Sequence, residues 1–187
     1  MLPLLSLEEI EALLLKVPAL IKRFEERDPD FFQAVKSWLT IAEDRLSNNR
    51  MSVAAEIAVC RAELISVERG FSEGSALRAR MGARTLKSAR ASHLIKRATN
   101  VISDAIRFRR GQADEASRIM MQIVAVADHL GLITAEAGQN HSVYLQTILQ
   151  SISNRAELTS LVVHVSGLMG RTDTLIVLDR AISSIRQ

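Results

Sequence analysis

Residues 92–131 read SHLIKRATNVISDAIRFRRGQADEASRIMMQIVAVADHLG. Leu94, Ala98, Val101, Ala105 and Phe108 recur at alternating steps of four and three, which places them on one stripe of a 3.6-residue helix. Gly111 follows, and glycine readily takes the left-handed conformation that ends a helix. Ala116, Ile119, Ile123, Val126 and Leu130 then form a second stripe before Gly131. Two stripes joined by a short glycine turn predict an antiparallel αα-hairpin, Ser92–Leu130, at the centre of the fold.

The rest of the composition points the same way. Hydrophobic residues make up 48% of the 187-residue chain but aromatics only 4%, so the core is built from Leu, Ile, Val, Ala and Met. The three prolines, Pro3, Pro18 and Pro29, all lie near the start, leaving few obligatory helix breaks beyond them. The expectation is an all-α, single-domain helical bundle of about eight helices around the central hairpin. Residues 1–70 read as an acidic three-helix portion, and residues 71–187 as the basic helix, the hairpin and the C-terminal helices of the same continuous domain.

Along the chain, Ser6 and Glu9 have the spacing of a capping box opening the first helix. Pro18 interrupts the stripe Leu7, Ile10, Leu14, Val17, Ile21, Phe24 and predicts a kink or a split. Asp28-Pro29 reads as an N-cap followed by a proline at the first helical position. A helix with Phe32, Val35, Leu39 and Ala42 follows, then one over about 51–69 closed by Gly70. Trp38 and Cys60 read as packing residues. A break is expected near Ser88–Ser92, and a loop over 131–140 with one turn at Thr134–Ala137. A short helix then carries Leu145, Ile148, Leu149 and Ile152. Residues 158–180 are rich enough in Leu, Ile and Val for strands. The helical period of Leu158, Leu161, Val162, Val165 and Leu168, and of Leu175, Leu178, Ile182 and Ile185 behind Thr172 and Asp173 as caps, favours two helices.

Charge is concentrated in one segment. Arg78, Arg80, Arg84, Lys87, Arg90, Lys96, Arg97, Arg107, Arg109 and Arg110 fall within one span in which Asp104 is the single acid. The flanks on either side are net acidic, so the overall charge of +3 understates this positive stretch. These ten residues form the candidate polyanion-binding set, with Arg80, Arg84 and Lys87 on one helix face. Phosphate contacts of this kind position a protein without reading bases. With Phe108 as the segment's lone aromatic, stacking on single-stranded bases is not expected.

His93-Leu94-Ile95-Lys96-Arg97-Ala98-Thr99-Asn100-Val101-Ile102-Ser103 resembles the phosphoacceptor helix of some sensor histidine kinases, and His129 echoes a second position of that family. The run departs from the pattern at Arg97, where asparagine is usual, and no ATP-binding motif follows. The resemblance implies His93 as the phosphoacceptor of a histidine-phosphotransfer protein acting on a dimeric helical hairpin, with Lys96 offsetting phosphate charge.

Other chemistry finds no pattern. His93, His129, His141 and His164 lack metal-ligand spacing, and no nucleophile elbow or phosphate-loop glycine pattern occurs. Asp114-Glu115 reads as complementing a helix N-terminus. One cysteine, Cys60, forms no internal disulfide. The apolar N-terminus lacks a basic n-region and is interrupted by Glu8, Glu9 and Glu11, and no apolar run approaches the ~18 residues of a span. The sequence thus predicts no catalytic residue, cofactor, metal, small-molecule substrate or transmembrane segment, and a cytoplasmic location by default. It predicts a non-enzymatic binding or adaptor protein whose basic helix, 78–110, docks an acidic protein surface or a nucleic acid. Self-association as a homo-oligomer follows from the long apolar stripes and from small residues that allow close helix approach; the alternative is a structural component of a larger assembly, in which the basic face pairs with the acidic N-terminal helices of a neighbour.

Overall fold

The computed structural model describes residues 2–69, 83–133 and 140–186. All regular structure among them is helical. The helices are α1 (Leu4–Leu14), α2 (Val17–Glu25), α3 (Phe31–Asn48), α4 (Ala54–Glu68), α5 (Ala83–His129), α6 (His141–Ser153), α7 (Ala156–Met169) and α8 (Arg171–Ile185). The chain divides into two compact units, Leu4–Arg107 and Phe108–Gln187, and α5 contributes its first part to one and its second part to the other.

The expected hairpin is therefore corrected: α5 is one continuous 47-residue helix that runs through Gly111. A glycine inside a helix costs about 1 kcal/mol relative to alanine, too little to end a helix with packed residues on both sides. The left-handed glycine is instead Gly131, φ 67°, where Leu132 N–H bonds to the Ala127 carbonyl and Gly131 N–H to that of Asp128. No break occurs near Ser88–Ser92 either.

The buried stripe of α5 also differs from the expected one. Leu94 and Ala98 are buried, but Ala105 and Phe108 are exposed and Val101 is half-buried. Leu94, Ile119 and Val124 are buried as well, and the central line of the stripe is Ala91, Ile95, Ala98, Ile102, Ile106, Arg109, Ala113, Ala116, Met120, Ile123 and Ala127. They keep steps of four and three without interruption, except for two successive steps of four at Ile102–Ile106. Choosing Val101 over Ile102 moves the stripe by one residue, about 100° of helix.

In the N-terminal unit, α3 packs against α1, α2 and α4. The helix expected to kink at Pro18 divides just before it, with Pro18 in the first turn of α2, where its missing N–H costs nothing. Trp38 Nε1 donates to the Leu13 carbonyl at 2.9 Å and so satisfies an end group of α1. Ser6 lies inside α1, which begins at Leu4, so the capping box does not open it. Asp28 acts earlier than expected: its Oδ1 accepts from Asp30 N–H at 2.8 Å, and α3 begins at Phe31. Two arginines, Arg27 (φ 56°) and Arg50 (φ 54°), take the left-handed positions after α2 and α3 that glycine usually fills. Arg61 Nε to Glu43 (2.5 Å) and Lys36 Nζ to Glu68 (2.6 Å) join α3 to α4. Cys60 is fully buried in α4, and burial pushes its thiol pKa up, which suits packing rather than reactivity.

In the C-terminal unit, α6, α7 and α8 pack on one another. Asn140 caps α6 by accepting from Ser142 N–H at 2.9 Å. The segment that could have formed strands is helical, as its period required. Gly170, φ 79°, forms the corner between α7 and α8. Leu175 is half-buried and Ile185 exposed, and the packed face of α8 is Asp173, Thr174, Val177, Leu178, Ala181 and Ile182. The expected turn at Thr134–Ala137 lies outside the described residues. No single helix among the described residues is long and apolar enough to cross a membrane.

Candidate polyanion interface

The basic segment separates into three environments. Arg78 and Arg80 lie outside the described residues, so the predicted face of Arg80, Arg84 and Lys87 is described only from Arg84 onward. Arg84 and Lys96 are exposed, and neither has an acidic partner among the described residues. Lys87 is half-buried and donates to the Glu68 main-chain carbonyl at 3.3 Å.

Arg90 and Arg97 sit on α5 two turns apart and both reach one carboxylate of α4. Arg90 Nη2 bonds Glu63 Oε2 at 2.7 Å and Arg97 Nη1 bonds Oε1 at 3.0 Å. Two guanidinium charges on one carboxylate leave a net positive cluster, and all three side chains remain substantially solvated. Arg107 pairs along the helix with Asp104, the span's single acid. Arg110 is exposed.

Arg109 is of a different kind. It is 6% exposed and belongs to the core of the C-terminal unit. Nη1 donates to the Leu168 carbonyl at 2.8 Å and to Met169 Sδ at 3.4 Å, and Nη2 to Asp173 Oδ2 at 2.8 Å. Leu168 ends α7 and Asp173 lies in the first turn of α8, so the guanidinium meets the negative end of one helix and the acid that complements the start of the next. It closes the Gly170 corner and is turned away from solvent. Asp173, expected as a cap, forms this buried pair.

His93 is exposed on the side of α5 away from its buried stripe, with Lys96 one turn on. Glu115, expected at a helix start, is mid-helix and pairs with His164 at 3.2 Å. His141 pairs with Asp179 at 3.0 Å. No group of metal-ligating side chains occurs among the described residues.

Sequence reasoning missed the Arg109–Asp173 pair. The one signal for it was that an uninterrupted four-three repeat through Gly111 puts an arginine in a core position. No family model matches the chain, and neither the curated proteins nor the solved structures yield a match.

Proposed function

We propose that the chain is a non-enzymatic helical binding protein that presents the basic part of α5 to an acidic partner, nucleic acid being the leading polyanion. The observation that carries this reading is the imbalance on α5: Arg84 and Lys96 are exposed without an acidic partner among the described residues, and Arg90 and Arg97 divide the single carboxylate of Glu63. Such a face attracts phosphates by releasing their counterions, so its affinity is steeply salt-dependent and tolerant of sequence.

The test is fluorescence anisotropy with labelled duplex and single-stranded oligonucleotides at low and moderate salt, using wild type and Arg84→Glu/Lys96→Glu. Both side chains are exposed, so the fold is retained. The expected result is weaker binding and a log K against log salt slope reduced by about one per lost phosphate contact. Absence of binding at low salt, or an unchanged slope in the variant, overturns the reading for nucleic acid.

A second reading is supported by the exposure of His93: phosphoryl transfer through its imidazole, with Lys96 offsetting the phosphate charge. Incubation with phosphoramidate then adds one phosphoryl group that is labile to acid and absent in His93→Ala. An unmodified mass removes this reading.

A further inference from the structure

Beside the turn between α2 and α3, the start of α5 leaves a cavity of about 710 Å³ within the N-terminal unit. That is within the usual range for sites that enclose a small organic molecule, about 300–1,000 Å³. Its apolar wall is Phe24, Phe31 and Ala89. The two phenyl rings meet at a tilt, with centroids 5.3 Å apart. Phe31 is only 1% exposed and backs the wall, so Phe24, 36% exposed, supplies the face on which a third aromatic ring would pack.

The polar wall is rich in donors. Arg84, Thr85 and Ser88 approach from α5 and Arg27 from the turn. Arg27 is fixed in the left-handed conformation, its N–H bonded to the Phe24 carbonyl at 3.1 Å and the next N–H, of Asp28, to the Arg23 carbonyl at 3.0 Å. Of the two acids in the lining, Asp28 is already engaged: Oδ1 accepts from Asp30 N–H and Oδ2 faces Arg23 at 3.7 Å. Glu25 is exposed, as are Arg27 and Arg84, so solvent screens all three charges alike and the preference for an anion comes from paired N–H donors rather than from net charge. Neither Arg27 nor Arg84 has an ion-pair partner among the described residues, so the lining carries two arginines without an ion pair and two hydroxyl side chains beside the acids Glu25 and Asp28.

We infer that this cavity binds an aromatic carboxylate, its ring against Phe24 and Ala89 and its anionic group on the guanidiniums of Arg27 and Arg84. An arginine holds a carboxylate through two parallel N–H bonds, which gives the head-group preference. The inference is independent of the nucleic-acid reading: it shares Arg84 but needs neither Lys96 nor the Glu63 cluster.

The experiment uses the full chain and 1-anilinonaphthalene-8-sulfonate, a fluorescent aromatic anion, displaced by 2-naphthoate or by its neutral analogue 2-naphthamide. Four proteins are compared: wild type, Ala89→Trp, Arg84→Gln, and Val163→Ser as a control for dye on an exposed apolar side chain of the other unit. Ala89 is exposed, so tryptophan there fills the cavity without displacing core. Displacement by 2-naphthoate in wild type is expected, with 2-naphthamide weaker by about tenfold, as loss of a charged hydrogen-bond pair requires. Ala89→Trp abolishes displaceable binding, Arg84→Gln removes the preference for the anion, and Val163→Ser changes neither. Equal displacement of the dye from wild type by the neutral analogue, naphthoate binding that survives in folded Ala89→Trp, or an anion preference retained in Arg84→Gln overturns the inference. Circular dichroism confirms that Ala89→Trp is folded; should it not be, Arg84→Gln, a surface change, decides alone. Loss of oligonucleotide binding in Lys96→Glu with naphthoate binding intact separates this site from the basic face.

Discussion

Arg97 and Arg109 lie three turns apart on the same helix, and both pair with an acid from another helix. Arg97 shares Glu63 with Arg90 at the surface of the N-terminal unit. Arg109 holds Asp173 in the interior of the C-terminal unit and also bonds the Leu168 carbonyl in the last turn of α7. The chemistry is the same and the setting reverses its meaning. In water the exposed pairs gain little, because attraction is screened and two long side chains lose freedom. In the interior each charge depends on the other, since removing one leaves its partner desolvated and uncompensated. Exposed arginines remain exchangeable for a ligand's phosphates, whereas the buried one is committed to the fold.

Breaking the buried member has the largest expected effect. Asp173→Ala takes the carboxylate from the buried Arg109 guanidinium and is expected to lower unfolding free energy by about 3 kcal/mol, read from urea denaturation. A loss below about 1 kcal/mol would place Arg109 with the surface arginines after all.

The helix that carries both residues is tested at Gly111. A Cβ added there meets nothing within 4 Å, and the glycine lies mid-helix without positive φ. Gly111→Ala is therefore expected to stabilise the chain by up to about 1 kcal/mol, measured as a rise in Tm. A left-handed glycine at a hairpin turn gives the opposite sign.

The surface member of the comparison gives the smaller response. Glu63→Gln is expected to cost about 0–1 kcal/mol in stability while freeing Arg90 and Arg97, so oligonucleotide affinity rises at low salt. A destabilisation comparable to that of Asp173→Ala would erase the distinction between the two sites.

The pH dependence of Glu68 sharpens the same point at the surface. The hydrogen bond from Lys36, at 2.6 Å, with a second from Gln33, at 2.9 Å, holds its carboxyl below the ordinary glutamate value. A depressed folded-state pKa stabilises above the unfolded value, about 4.3, and that contribution is lost as pH falls through the folded one. The Tm difference between wild type and Glu68→Gln is accordingly present at neutral pH and vanishes in acid, as scanning calorimetry across pH would read.

The all-α class was legible because period is a property of local sequence. Leu158, Val162 and Val165 kept helical spacing in a segment whose composition also suited strands, and they are buried on one face of α7. The hairpin was misread because two local preferences agreed on the wrong answer. Gly111 suggested a stop, and Phe108 offered a large apolar residue at an acceptable step. What outweighed them is tertiary: Arg109 enters the core where Leu168 and Asp173, 59 and 64 residues later, meet it. No local window contains all three residues. The charge imbalance of the basic segment was visible at once, whereas the division of that segment into exposed, shared and buried arginines depends on Glu63 and Asp173 from other helices. The cavity by Phe24 left no motif, since it joins a turn and a helix start far apart in the chain.

The double membership of α5 sets an order of assembly. Each unit is essentially an unbroken stretch of chain, so its partners leave the ribosome close together in time. Starting a helix is unfavourable, with a nucleation factor of about 10⁻³, whereas lengthening one adds a hydrogen bond for each residue fixed. Once the first unit has ordered α5 as far as Arg107, the chain from Phe108 onward extends a helix that already exists. The C-terminal unit is then expected to fold on a helix whose nucleation step has already been taken, with Arg109 one turn or less beyond the part that the first unit orders.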